Sequence, residues 1–226
     1  MANNPVIIWN HLQRAFAILV SILIVLTSSI AAQGSWVLKK QQNGISVFSR
    51  NVDTLKIKEL KVEFSLQSRL SDLAALILDI PHYFQWSYNT KQSYILSQVS
   101  PSDIYFYSEI ASPWPASNRD LVVHLQITQD SSTKAMSIIS ESVPDRIPPK
   151  PNLIRVPFSK EIWQVTKDGE EKIHIEYYLA IDPGASAPAW IVNLFSAKGP
   201  LESFKALAIR IQLPKYKHTL VDFIQD

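Results

Sequence analysis

The sequence predicts an α+β fold: a curved antiparallel sheet whose apolar face is covered by a long C-terminal helix, behind an N-terminal hydrophobic segment. Three observations lead there. Strand-like alternation recurs between Trp36 and Asp182, broken by turns rich in Pro, Ser, Asp or Gly. One long amphipathic pattern follows, over Pro188–Leu213. Ahead of both, Ala15–Leu26 is apolar except for Ser21.

The chain of 226 residues suits one domain, or a domain with a small appendage. Apolar residues make up 46% and charged residues 19%, enough for a substantial core. A formal net charge of +2 is too small for a nucleic-acid partner, and Lys and Arg are interleaved with acids, as in Lys56-Ile57-Lys58-Glu59. That pattern reads as a solvated face. The chain has no cysteine, which excludes disulfides, thiol catalysis and Cys-ligated zinc; it fits either the cytosol or an oxidising compartment.

Residues 1–35 hold one charged side chain, Arg14. A basic residue, a short apolar run and a small-residue exit, Thr27–Gly34, form the pattern of a secretory signal. The run of 12 apolar-type residues is short against the roughly 20 that a spanning helix needs. Counted through Ala32 it lengthens to 18 with a polar patch, so a retained anchor over residues 15–32 is the second reading and a core helix the third. Cleavage after Ala31 or after Gly34 would each leave small residues at the recognition positions. Residues 1–34 are thus a signal peptide or membrane anchor, and residues 36–216 the domain. The expected location is periplasmic or secreted, or membrane-anchored.

The elements follow in order. Trp36–Gln41 and Gly44–Arg50 form a hairpin around Asn43-Gly44, a strong turn pair. Leu60–Gln67 alternates as a strand with one wet face. Ser71 is placed to cap a helix with Leu73, Leu76, Ile77 and Ile80 along its stripe, stopped by Pro81. Tyr94–Val99, Asp103–Ile110, Asp120–Thr128, Lys134–Glu141, Ile154–Thr166 and Lys172–Asp182 read as strands. The loop Val143–Asn152 carries four prolines and is irregular but stiff. In the last helix Pro188 suits the first helical position, and Trp190, Ile191, Leu194 and Phe195 share a face. Gly199-Pro200 kinks it, Leu201, Phe204, Leu207, Ala208 and Ile211 continue the stripe, and Pro214 ends it.

Three strands repeat one alternation. Ile104, Phe106, Ser108 and Ile110 share a face, as do Leu121, Val123, Leu125 and Ile127, and Ile173, Ile175, Tyr177, Leu179 and Ile181. The opposite faces carry Tyr105, Tyr107, Glu109, His124, Gln126, His174 and Glu176. An apolar sheet face has to be covered, and Pro188–Leu213 is the long cover available. Periodicity alone favours a solid core over a cavity.

Three stretches resemble the START lipid-transfer family. Pro113-Trp114-Pro115-Ala116-Ser117-Asn118-Arg119-Asp120 is similar to a family turn of the form Pro-aromatic-Pro-x-Ser-Asn-Arg-Asp. Leu153-Ile154-Arg155-Val156 resembles its apolar-Arg-apolar strand start. Asp182-Pro183-Gly184, then Pro188–Asn193, resembles the lead into its closing helix. The resemblance spans about Trp36 to Tyr216 and implies, in an exported bacterial-type form, a helix-grip fold: a sheet wrapped around the last helix with a lipid tunnel between. The family's own first helix has no counterpart after Trp36.

The resemblance implies a non-enzymatic carrier of a lipid or other hydrophobic molecule, with no cofactor and with transient membrane contact. The implied lining joins Tyr83 and Trp86 after the first helix to Ile104, Phe106 and Ser108. It continues through Leu121, Val123 and Leu125, then Ile175, Tyr177 and Leu179, and closes with Trp190 and Leu194. In the phosphatidylcholine-binding members aromatics cage the choline cation. The matching positions here are Ser108, Leu121 and Ser159, none aromatic. The phosphate-holding Arg and Asp around the Trp86 position are replaced by Tyr83 and Ser87. The implied tunnel is therefore greasy, with Ser108, Tyr177 and Tyr83 as its polar points. Glu109 matches a family carboxylate, yet alternation puts it outside.

Arg119, Asp120 and Arg155 read as structural charges at a turn and strand start. The five histidines lack metal-ligand spacing, and neither a nucleophile elbow nor a phosphate loop is present. His174 and Glu176 read as an outward polar pair. The alternative function is an enzyme of the same superfamily, polyketide cyclase- or hydratase-like, which needs ionisable groups inside the cavity. The inward lists above contain only tyrosine phenols. A third reading is a periplasmic scaffold that takes a partner peptide near Trp114.

Overall fold

The computed structural model describes residues 35–52, 57–184, 187–194 and 198–226, with side chains at 52, 57, 58 and 189 left aside. The expected N-terminal segment, Phe195, and most of the Ala185–Ala187 loop lie outside the described residues. Gly34–Asp226 forms a compact unit of its own. Among the described residues no helix is long and apolar enough to cross a membrane.

Ten strands form one sheet: β1 Val37–Gln42, β2 Ile45–Val52, β3 Ile57–Gln67, β4 Thr90–Ser100, β5 Asp103–Ile110, β6 Arg119–Gln129, β7 Met136–Ser142, β8 Ile154–Arg155, β9 Phe158–Lys167 and β10 Lys172–Asp182. The order is β1-β2-β3-β10-β9-β7-β6-β5-β4, antiparallel throughout, with β8 paired in parallel to β6. The Asn43-Gly44 turn has φ of 53° and 76°, the left-handed pair that such a hairpin requires. Register shifts at three places between β4 and β5 insert extra residues on that edge, which bends a strand.

Among the described residues the α-helices are α1 Leu70–Leu78, α2 Ala189–Asn193 and α3 Gly199–Arg210. Four details depart from the sequence reading. Ser71 does not cap α1: it lies inside the first turn, and its amide and hydroxyl both donate to Asp226. The cap position is Arg69, whose amide and guanidinium are held by Asp72. The α-helix does end ahead of Pro81, at Leu78, but Ile80, counted on its stripe, belongs to a separate 3₁₀ turn, Ile80–Gln85, where the missing N–H of Pro81 costs nothing. The expected strand Ile154–Thr166 is split at Val156-Pro157; Pro157 lacks the donor that a continuous ladder needs.

The fourth concerns the closing helix. Pro188 is its N-cap, in extended backbone, and its carbonyl accepts from Ile191 and Val192. The helix is described in two pieces, whose facing ends, Leu194 and Lys198, have π-helical backbone, and Pro200 supplies no ladder donor. It ends at Arg210, short of Leu213. Leu201, Phe204, Leu207 and Ile211 face the core; Ile209 is 74% exposed.

The outer face of β5 and β6 is not uniformly wet as alternation implied. Tyr107, Glu109 and Val122 are buried. The Pro-rich loop covers the tyrosines: Lys150 Nζ lies 3.6 Å from the Tyr107 ring centre, and Arg146 3.5 Å above Tyr105, which stacks on His124.

Candidate functional site

Between the inward side of the sheet and α3 lies a cavity with about 150 Å³ of free volume. Strands β5, β6, β7, β9 and β10 wall one side. Ile77 of α1, the Tyr83–Asn89 stretch, Leu194, and Gly199, Pro200, Ser203 and Phe204 of α3 wall the other. A volume of that size is about five times one water's share of the liquid. Pockets for drug-sized ligands run to about 300–1,000 Å³.

Nine of the thirteen residues that the resemblance placed on the lining are there: Tyr83, Trp86, Phe106, Ser108, Leu121, Val123, Tyr177, Leu179 and Leu194. The other four are not. Ile104 and Leu125, cross-strand partners, are 2% and 1% exposed, and Ile175 is 0% exposed; none is on the cavity wall. They share the inward face, but the open volume lies toward the Ser108–Leu121 ends of β5 and β6, and packed side chains fill the rest. Alternation identifies a face, not which stretch of it stays uncovered. Trp190 is 43% exposed and is not on the cavity wall; its neighbour Ile191 on α2 is buried.

Two aromatic groups frame the space. Tyr83 meets Trp86 and Phe106 edge-on, at 4.9 and 5.6 Å between ring centres. Phe204 sits among Phe64, Trp163 and Tyr177, at 4.8, 5.3 and 4.9 Å. Ser203 Oγ accepts from the Tyr88 amide at 2.9 Å, which ties α3 to the turn beside the cavity. Of the expected polar points, Tyr83 is already committed: its hydroxyl donates to the Ile77 carbonyl at 2.6 Å, and burial pushes its pKa up.

The sequence reading missed Glu161. Leu179 of β10 and Ser140 of β7 are its two cross-strand partners, and its carboxyl borders the cavity. Burial pushes its pKa up to about 7, against a hydrogen bond with Tyr177 that lowers it. The list of inward residues without a carboxyl is therefore corrected. Trp163 and Ser140 were missed with it. Ser159, Glu161, Trp163 and Val165 do alternate in β9, but polar residues interrupt the apolar signal that marks β5, β6 and β10.

Outside the cavity, His174 lies 3.2 Å from Ser65 Oγ, and Glu176 accepts from the Tyr178 hydroxyl at 2.5 Å; neither is on its wall. Glu109 is held by Lys91, Gln92 and Asn118. Arg119 and Asp120 do not pair with each other. Arg119, 2% exposed, donates to the Ser117 carbonyl and Ser112 hydroxyl, and Asp120 takes Arg155.

This arrangement has known counterparts. A model of the START domain matches residues 25–217. The protein PA1579 of Pseudomonas aeruginosa is 27% identical over 76% of this chain and 84% of its own length. The phosphatidylcholine transfer protein of Rattus norvegicus is 28% identical over 75% of this chain and 79% of its own. Among solved structures, a STAR-related lipid transfer protein fragment from Xanthomonas axonopodis superposes with a TM-score of 0.73 at 29% identity, covering 79% of this chain and 99% of that one. Human STARD10 shares the fold with a TM-score of 0.68 at 21% identity. With the family model spanning the sheet, the cavity wall and the closing helix, the chain belongs to the START domain family.

Proposed function

We propose that the domain binds a lipid or other hydrophobic molecule in the cavity between sheet and α3, and carries it without covalent chemistry. The observation that supports this most is the apolar wall itself, enclosed by aromatic and aliphatic side chains from five strands and the closing helix. Burial of each methylene contributes about 0.8 kcal/mol, so a greasy site needs no reaction to hold its ligand. A chain lipid exceeds 150 Å³, so a bound chain either extends out of this space or displaces α3 and its neighbouring turns. Residues 1–34, read as signal or anchor, put this carrier outside the cytoplasm or on a membrane.

Exchange takes place at a membrane surface. Trp114, 92% exposed, projects from the β5–β6 loop, and that loop is tied to the cavity-lining turn by the Ala111 amide on the Asn89 carbonyl at 2.8 Å. Tryptophan favours the membrane–water interface.

The deciding experiment is mass spectrometry of organic extracts from the purified full-length protein. A bound lipid at near-equimolar yield is expected. An extract with no lipid, and no uptake from labelled vesicles, would overturn the reading. A second reading has one observation in its favour: Glu161, with its pKa near 7 beside Tyr177, could serve acid–base chemistry on a bound substrate. Recovery of the bound molecule chemically unchanged after incubation separates carrier from enzyme.

A further inference from the structure

Among the described residues, Glu161 is the one charged side chain on the cavity wall. The groups facing it are few. Tyr177 of β10 hydrogen-bonds to it, Ser140 flanks it on β7, and α3 contributes Phe204 and Ser203. Ile77 comes from α1, and Tyr83, whose hydroxyl is spent on Ile77, from the 3₁₀ turn. The nearby charges on β7 and β9, Glu141 and Lys160, pair with each other on the other side of the sheet at 2.6 Å. Arg119, which shares the inward parity of β6, is turned to Ser112 and Ser117 and is not on the wall. Lys198, at the exposed start of α3, lies 5.7 Å from the Tyr88 ring centre and is itself not on the wall. Among the described wall residues a polar group entering the cavity therefore meets a carboxyl and hydroxyls, and no positive charge.

Resting on the carrier reading above, we infer that Glu161 sets which polar end the cavity accepts: one that donates hydrogen bonds and bears no negative charge, an alcohol or an amine. A carboxylate or phosphate would be desolvated beside a like charge with no cation to receive it, and like charges repel strongly where water is scarce. A hydroxyl or ammonium instead supplies a further donor to a carboxylate that can accept more than the one from Tyr177. Sites that hydrogen-bond a ligand group discriminate sharply against analogues without it.

Three ligands with the same chain separate the cases: 1-dodecanol, dodecylamine and dodecanoate, each displacing Nile red from the full-length protein. At about pH 8.5 the alcohol and amine should displace the dye at concentrations about tenfold below dodecanoate, and Glu161→Gln should bring all three within about threefold. In the unmodified protein the amine should weaken several-fold between about pH 8.5 and about pH 5.5, as Glu161 takes up a proton, while the alcohol holds constant. Glu161→Gln should abolish that pH dependence; the pH series on the unmodified protein decides the matter even if the variant folds poorly. Dodecanoate binding as tightly as the alcohol, or an unchanged ranking in Glu161→Gln, overturns the inference and leaves the carrier reading standing. Failure of every chain, with no uptake of Nile red, overturns both.

Discussion

Arg155 grips Asp120 with two prongs: its Nε donates to one carboxylate oxygen at 2.9 Å and its Nη2 to the other at 3.0 Å. Asp120 is fully buried at the start of β6, and the same guanidinium donates to the carbonyls of Pro144, Ile147 and Pro148. The ion pair thus ties the Pro-rich loop to the sheet. Arg155→Met would leave a buried carboxylate without its counter-ion, a loss of about 3–5 kcal/mol. Urea unfolding measures the loss, and hydrogen exchange should rise across Val143–Asn152. A loss below about 1 kcal/mol would show that the pair does not hold the loop.

Glu161 makes stability depend on pH in an unusual direction. Its folded pKa of about 7 lies above its ordinary 4.5, so between those values the folded state binds the extra proton. Stability from this group is complete below about pH 4.5 and is lost as pH rises through about 7. The loss is on the order of 2 kcal/mol, since cavity water relieves part of the shift. The hydrogen-bonded carboxylates Asp79, Asp103 and Asp168, all held below their ordinary pKa, act oppositely and below that window. Unfolding midpoints should therefore fall between about pH 5 and 7, and Glu161→Gln should flatten that slope. An unchanged slope in the variant would place the titration elsewhere.

Much of this architecture was written in local patterns. The alternation of Ile104-Phe106-Ser108 and of Leu121-Val123-Leu125 reports the buried face directly, because a strand has period two. The turn at Asn43-Gly44 is legible because only certain residues accept positive φ. What stayed hidden depends on distant partners. Asp226 captures Ser71 across the fold, so a good capping residue is spent elsewhere. Glu161 was not singled out because its environment is made by β7, β10 and α3 together. Ile104, Leu125 and Ile175 carry the right signal on the right face, yet packing decides where the sheet is left uncovered.

Ser108 lines the cavity opposite the closing helix and pairs across the sheet with Leu121. Ser108→Phe would place a ring in about 150 Å³ of free volume. Overpacking costs about 1–3 kcal/mol where side chains cannot shift, and less here, because the space is open. Lipid uptake should fall at least about tenfold while the thermal midpoint stays near that of the unmodified protein. Retained uptake would place the ligand outside this cavity.

Trp114 makes almost no contribution to the core, being 92% exposed. Trp114→Ala should leave unfolding within about 0.5 kcal/mol of the original. If this ring meets the bilayer, lipid transfer between vesicles should slow several-fold while the amount of lipid bound at equilibrium is unchanged. Equal transfer rates for the two proteins would exclude the ring from the exchange step.

Gly199 turns an ordinary helix rule around. Replacing a helical glycine by alanine normally stabilises by about 0.5–1 kcal/mol, because alanine loses less backbone freedom. Here an added Cβ would lie 2.9 Å from the Leu194 carbonyl oxygen and 3.6 Å from the Tyr88 ring. The near atom is backbone and cannot swing aside, so α3 itself has to shift. Tyr88 is bonded through its amide to Ser203 of the same helix, and both residues border the cavity. The steric term should win, and Gly199→Ala should destabilise by about 1–3 kcal/mol. Because the strained contact sets Leu194 against the first residue of α3, both on the cavity wall, lipid release should quicken in the same variant. Stabilisation with unchanged release would mean that Leu194 and Gly199 separate without cost, and that the ligand leaves by another route.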